Sequence, residues 1–168
     1  ALPISLLAAA KEGRVLPVYI SDEVHPGEHT WGGSSRWWLH HSLQSLNKQL
    51  DGRLQIHAGD PTDILPALAR KYGIHRVHWN RCYEPWCIQR DAEVKKGLQA
   101  DGIEVRSHNG ALLWEPWDVL KQDGTSYKVF TPYYNKGCLH AEPPRKPLPR
   151  PAGLDLIEPD AEIGRAHV

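Results

Sequence analysis

Short apolar runs alternate with amphipathic stretches along most of the chain. The runs at 15–20, 54–58, 76–79 and 103–107 are rich in apolar and β-branched residues, and charged or turn-forming residues bound them. Such runs are typical of short, buried β-strands. Between them, apolar side chains recur every three or four residues, which predicts helices with one buried face. The predicted helices end near residue 11, run from 34 or 35 to 50, run from the turn at 59–61 to about 72, and run from 88 to 100.

This alternation predicts the fold class. Strands separated by helices of about a dozen residues form βαβ units, whose strands are parallel and whose crossovers are right-handed. We therefore predict an α/β fold, a doubly wound, mainly parallel sheet of the Rossmann-like kind with helices on both faces. We expect Ser34 or Ser35 to cap one helix and Asp60 to cap the next. Pro66 is expected in the first turn of that second helix, where a missing N–H is tolerated.

The pattern changes after residue 110. Residues 112–120 form a short apolar segment, and residues 127–134 are predicted to be extended and aromatic, with Pro132 ending the extended run. The proline-rich stretch 143–151 predicts a polyproline-like linker. We predict an α/β domain over residues 1–140, followed by a linker and tail over 141–168 that adds little to the core and leads away from the domain.

Charge and composition narrow the function classes. The 20 basic and 20 acidic residues balance, so the chain has no basic field with which to hold nucleic acid by counterion release. The three cysteines form no C-x-x-C pair, and their odd number argues against a disulfide framework, which favours a reducing, cytoplasmic location. The longest apolar run, 6–10, is too short to span a membrane, and we see no signal peptide.

The turn after the third predicted strand carries the most concentrated chemistry. It contains Trp79, Asn80, Arg81, Tyr83, Glu84, Pro85 and Trp86. In an open α/β sheet, ligands bind in the crevice at the carboxyl ends of the strands, and two indoles beside charged groups suit a flat ligand with polar edges. Cation–π and ion-pair packing would produce the same cluster. At this point both interpretations stay open.

Several other sites are not predicted. The chain has neither of the two common glycine-rich nucleotide-binding motifs, and it has no nucleophile elbow. Cys87 has no histidine partner evident in the sequence, so we predict no catalytic residue. We also predict no metal site, because adjacent His40 and His41 point about 100° apart on a helix. The remaining candidates, His75, His78, Cys82 and Cys87, lack any recognised zinc spacing.

Four segments in order carry a family resemblance. They are GGSSRWWLHHSLQSL at 32–46, the Gly-Asp-Pro turn and apolar helix at 59–69, WNRCYEPWCIQRD at 79–91 and YKVFTPYY at 127–134. Together they resemble the N-terminal α/β domain of the DNA photolyase/cryptochrome family, and within it a bacterial cyclobutane pyrimidine dimer photolyase. The resemblance covers residues from about 5 to 150.

The resemblance implies a division of labour. In photolyases, a following helical domain holds the catalytic FAD, binds the damaged DNA and splits the pyrimidine dimer by light-driven electron transfer. The α/β domain holds an antenna chromophore, methenyltetrahydrofolate or a deazaflavin, and packs on the FAD domain. We therefore expect this chain alone to be inactive in repair. Glu84, Trp86 and Cys87 are the expected antenna contacts. Folate-binding relatives tend to carry a carboxylate just after the Tyr-Glu pair, a feature that Pro85, Trp86 and Cys87 lack here.

The resemblance also leaves two points open. The family's first strand lies before the start of this sequence, and it would sit between the strands at 15–20 and 76–79. We expect those two strands to pair directly, or another segment to fill the gap, for example from a neighbouring molecule in a strand-swapped or homo-oligomeric contact. The alternative functions are a freestanding adenine-nucleotide-binding module and the same domain of a cryptochrome photoreceptor.

Overall fold

The computed structural model describes residues 3–149, 151 and 153–158 of the chain. Strands and helices alternate as the hydrophobic pattern predicts, and the α/β fold class is confirmed. The strands are β1 (Val18–Asp22), β2 (Gln55–Gly59), β3 (Arg76–Asn80) and β4 (Glu104–His108). The helices are α1 (Ile4–Ala10), α2 (Gly33–Gln49), α3 (Pro61–Tyr72), α4 (Pro85–Ala100) and the single turn α5 (Phe130–Pro132).

The start of α3 follows the predicted capping chemistry. The Asp60 carboxylate accepts a hydrogen bond of 2.8 Å from the Thr62 N–H, and Pro61 occupies the first helical position. The placement of Pro66 in the first turn is wrong, because a helix that begins at Pro61 puts it in the second turn. The expected caps of α2 are also wrong. That helix begins at Gly33, so both serines lie inside its first turn and Gly32 is the cap residue.

The sheet is divided into two parallel pairs. In one pair, Val18 of β1 lies opposite Gln55 of β2, and in the other, Arg76 of β3 lies opposite Glu104 of β4. Among the described residues, no strand joins β1 to β3. The expectation that these two strands pair directly is therefore wrong, and no described segment of the chain fills the gap. Filling of the gap by a segment of a neighbouring molecule stays a prediction.

An open slot separates the two strand pairs. The slot is a cavity of about 790 Å³, and its walls include Val18 and Ile20 of β1 and Val77 and Trp79 of β3. Each strand pair packs against its own apolar cluster. Leu43, Leu50, Leu54 and Leu156 form the cluster beside β1 and β2, and Ala69, Val94, Leu98 and Ile103 form the cluster beside β3 and β4. The slot therefore leaves two strand edges without a partner strand in the described part of the chain.

The tail returns to the domain. Val15 N–H donates to the Asp155 carbonyl, the Ile157 N–H donates to the Val15 carbonyl, and both bonds measure 2.9 Å. Leu156 is buried in the first cluster, so this part of the tail contributes to the core and does not lead away from the domain. The predicted start of the linker at residue 141 stays a prediction, and its end at residues 159–168 lies outside the described residues. The first strand begins at Val18 and not at Val15, because Pro17 between them cannot donate a ladder hydrogen bond.

The expectation of an extended segment over 127–134 is wrong from Phe130 onward, where the chain is helical. The turn α5 continues into one π-helical turn over Tyr133–Gly137 and one 3-10 turn over Cys138–His140. Pro132 stops a strand, but it fits the first turn of a helix, where its missing N–H has no intrahelical acceptor. Gly137 lets this turn approach the preceding segment closely. A Cβ atom at Gly137 would lie 2.6 Å from the Val119 side chain.

None of the helices in the described ranges combines the length and the apolar character that crossing a bilayer requires.

Candidate functional site

A cluster of polar and aromatic side chains lies at the carboxyl ends of β1 and β3, beside the slot. Asp22 ends β1, and Trp86 and Arg90 lie on the first two turns of α4, which follows β3. The Arg90 Nη1 atom lies 3.4 Å from Asp22 Oδ2, which links α4 to β1 across the slot. This position is the one at which open α/β sheets bind ligands.

Asp22 is the most constrained carboxylate of this cluster. Its side chain is 6% exposed, and it accepts hydrogen bonds of 3.0 Å from the backbone N–H groups of Val24 and His25. The Nδ1 atom of the His25 ring lies 3.0 Å from each carboxylate oxygen. Burial opposes ionisation of Asp22, but these hydrogen bonds outweigh it and hold the pKa of Asp22 below its ordinary value.

We expect Asp22→Asn to reduce stability at neutral pH by about 1–2 kcal/mol, because an amide keeps the backbone hydrogen bonds and loses the charge. The folded-state pKa of Asp22 lies below its unfolded value. The contribution of ionised Asp22 to the free energy of unfolding is therefore fully present above about pH 4. It is lost as the pH falls through the pKa of Asp22 in the folded state. Urea unfolding at pH 7 and pH 3 measures this. If the variant is less stable than the parent by the same amount at pH 7 and pH 3, the charge of Asp22 does not stabilise the fold.

Trp86 and Arg90 form the part of the cluster that suits a planar ligand. The Arg90 guanidinium carbon lies 5.2 Å from the centre of the Trp86 ring, a cation–π distance. Asp91 fixes the guanidinium further, with its Oδ1 atom 3.0 Å from Arg90 Nε. The half-buried indole thus presents an aromatic surface beside one cation and two carboxylates. Such a surface stacks on a flat ring and hydrogen-bonds to the polar edge of that ring.

The three expected antenna contacts lie in three different environments. Glu84 is exposed at the N-terminus of α4, and its carboxylate accepts a 3.2 Å hydrogen bond from the Tyr83 N–H. Trp86 lies in the first turn of α4 against Arg90, which lines the slot. Cys87 is only 4% exposed, and burial raises the pKa of its thiol to about 12, so the thiol is neutral at physiological pH unless a metal ion displaces its proton.

Arg81 and Tyr83 serve to anchor the turn. Glu115 accepts hydrogen bonds from Arg81 Nε at 2.9 Å and from the Tyr83 hydroxyl at 2.7 Å. Arg81 also donates to the Ser107 carbonyl at 3.0 Å and lies 5.8 Å from the centre of the Trp117 ring. Ion-pair and cation–π packing therefore explains this half of the aromatic turn. From the sequence, packing and ligand binding were both open as explanations of this turn.

The sequence analysis missed Asp22, His25 and Arg90. Asp22 carried a usable signal, because it immediately follows a predicted strand and therefore lies at the edge where ligands bind. Arg90 carried a weaker one, since it lies four residues after Trp86 and thus on the same helix face. His25 carried none, because its contact with Asp22 depends on the path of an irregular loop.

The same turn brings three metal-ligating side chains together. The Sγ atoms of Cys82 and Cys87 and a carboxylate oxygen of Glu84 lie within 4.8 Å of one another. Cys82 and Glu84 are exposed, and Cys87 is buried. The prediction of no metal site rested on spacing, and these residues match no recognised zinc motif.

Comparison with known proteins agrees with this architecture. The family model described as DNA photolyase matches residues 4–152. The chain is 37% identical to a deoxyribodipyrimidine photo-lyase of Agrobacterium fabrum, covering 90% of this chain and 32% of the relative. It is 35% identical to cryptochrome-2 of Arabidopsis thaliana, covering 94% of this chain and 26% of the relative. The chain thus spans about a third or less of the length of these relatives.

Solved structures show the same similarity. A bacterial class III photolyase from Agrobacterium tumefaciens superposes with a TM-score of 0.71 and 37% identity, covering 84% of this chain and 31% of that one. An archaeal photolyase from Sulfolobus tokodaii gives a TM-score of 0.71 at 21% identity, covering 92% of this chain and 35% of that one, which shows the fold alone. On the extent of the family match and the identity to its members, this chain belongs to the DNA photolyase family.

Proposed function

We propose that the chain acts as the antenna-binding, N-terminal part of a light-driven DNA repair enzyme. The observation that carries this proposal is the 37% identity to a photolyase over nine-tenths of this chain, together with coverage of only 32% of that relative. In this account, the remaining two-thirds of such an enzyme contains the FAD-binding helical domain. That domain splits pyrimidine dimers and contacts the damaged DNA.

The crevice beside the slot is the proposed antenna site. Trp86 stacks on the conjugated ring, and Glu84 and Arg90 hydrogen-bond to its polar edge. Asp22 holds Arg90 in place through the contact of 3.4 Å. The chromophore would be methenyltetrahydrofolate, a deazaflavin or FAD itself. FAD is included because the Sulfolobus tokodaii photolyase contains two FAD molecules, with the implication of a novel light-harvesting cofactor. When bound, the chromophore supplies excitation energy, and the chain supplies only its position.

A cryptochrome photoreceptor is the second candidate parent, because the identity to cryptochrome-2 is 35% over most of this chain. The antenna-side residues serve either parent equally. A freestanding module that binds adenine nucleotide in the same crevice is the alternative from another class.

An illumination assay tests the division of labour. The 168-residue chain is mixed with reduced FAD and an oligonucleotide containing a thymine dimer, and dimer splitting is followed under blue light. We expect no splitting above the rate of free reduced FAD, because the proposed roles of the crevice residues include no electron transfer. A complete photolyase serves as the positive control. Catalytic turnover by this chain alone would contradict the proposal.

A further inference from the structure

Cys82, Glu84 and Cys87 lie close together between the end of β3 and the first turn of α4. The proposed antenna function uses Glu84 and needs neither cysteine. All three fall within six residues, and the peptide that carries them follows β3 and begins α4. Two thiols and one carboxylate lie within 4.8 Å of one another. They could supply three of the four ligands of a tetrahedrally coordinated cation. We propose that these three side chains form a binding site for a soft divalent cation of the zinc or cadmium class.

The distances are compatible with such an ion after a small movement. Zinc–sulfur bonds of about 2.3 Å and zinc–oxygen bonds of about 2.0–2.2 Å place tetrahedral ligand atoms about 3.5–3.8 Å apart. The three atoms all lie within 4.8 Å of one another, so the exposed Cys82 and Glu84 side chains need to close by no more than about 1 Å. The buried Cys87 provides the fixed point, because the first turn of α4 holds it in the protein interior.

The donor set selects the kind of ion. Two thiolates favour zinc, cadmium and other soft ions over magnesium and calcium, which prefer all-oxygen sites. Two thiolates and one carboxylate carry three negative charges, so a divalent cation leaves one net negative charge. The hydrogen bond from Tyr83 N–H to Glu84 orients the carboxylate, as an outer-shell partner does in established metal sites. The exposed side leaves a fourth position for water.

The site is local and needs no bound chromophore. All three ligands come from one continuous turn, so the ion needs neither an occupied slot nor a second domain. Glu84 belongs to both proposals, and the experiment therefore uses the metal alone. A chain that binds the metal and no chromophore would contradict the antenna proposal alone. A chain that binds a chromophore and no metal would contradict the metal proposal alone.

Titration of the reduced 168-residue chain with Cd²⁺ tests the site. We expect thiolate-to-metal absorption in the ultraviolet that saturates at one equivalent of Cd²⁺ and is displaced by Zn²⁺. The Cys82→Ser and Glu84→Gln variants change exposed residues, so we expect them to fold and to weaken binding by about tenfold or more. Cys138→Ser is the matched control, because Cys138 is the third cysteine and lies outside the cluster.

Two results would overturn the proposal. One is the absence of the absorption band at one equivalent of Cd²⁺ while the thiols remain reduced by assay. The other is a band that Cys82→Ser leaves unchanged or that Cys138→Ser removes. Release of protons on binding, measured in weak buffer, is the second expected signature, because both thiols must lose a proton to bind the ion.

Discussion

Replacing Glu115 by alanine is expected to destabilise the chain by about 2–4 kcal/mol. Glu115 is 6% exposed, and its carboxylate accepts hydrogen bonds from Arg81 and Tyr83. Removing it leaves a half-buried guanidinium without its counter-ion, and that uncompensated charge accounts for most of the cost. The network also joins the segment after β4 to the turn before α4, so the variant loosens the turn that carries Trp86.

Urea unfolding at neutral pH measures the effect. Glu93→Ala is the matched control, because Glu93 is an exposed glutamate on α4, and we expect it to change stability by less than about 0.5 kcal/mol. Glu115→Gln keeps the shape and loses the charge, so it should fall between the control and the alanine variant. A Glu115→Ala variant as stable as the Glu93→Ala control would show that the ion pair does not hold the turn.

The largest packing effect is expected at Leu98, which has no exposed surface. It lies on α4 among Ala69, Val94 and Ile103, in the cluster that packs β3 and β4. Leu98→Ala removes buried apolar atoms and leaves a cavity, at a cost of about 2–5 kcal/mol. Because a chain of this size has only about 5–15 kcal/mol of total stability, this loss is large.

Leu113→Ala is the control for Leu98→Ala, since Leu113 is 71% exposed. We expect it to stay within about 0.5 kcal/mol of the parent chain. Thermal and urea unfolding of both variants give the comparison. Equal losses at the two positions would mean that Leu98 is not at the centre of a packed cluster.

The sequence predicted the elements well and their assembly less well. Apolar periodicity located all four strands and the helices between them because it depends on local burial alone. It did not locate the partner of Val15, since the bridge to Leu156 joins residues 141 positions apart. Apolar periodicity also did not show that β1 and β3 lie in separate strand pairs. It reports the local burial of each strand and carries no information on which strands are neighbours.

The candidate site shows the same limit. Trp86 and Glu84 were identified because they lie within one unusual segment of sequence. Asp22 and Arg90 were missed because they are 68 residues apart and meet only when β1 and α4 are packed. The cysteine cluster was missed for a different reason. Its members are close in sequence, but the pattern of Cys82, Glu84 and Cys87 matches no recognised zinc spacing, and only the backbone turn brings the three side chains together.

The central claim is that the crevice beside the slot holds a light-harvesting chromophore. Competition dialysis of the 168-residue chain against equal concentrations of methenyltetrahydrofolate, a deazaflavin, FAD and ATP tests it most directly. We predict that the chain retains one of the three chromophores with its absorption band shifted, and that Trp86→Ala abolishes retention while Trp38→Ala, an exposed tryptophan on α2, does not. Retention of ATP with none of the three chromophores would contradict the claim and favour a nucleotide-binding module.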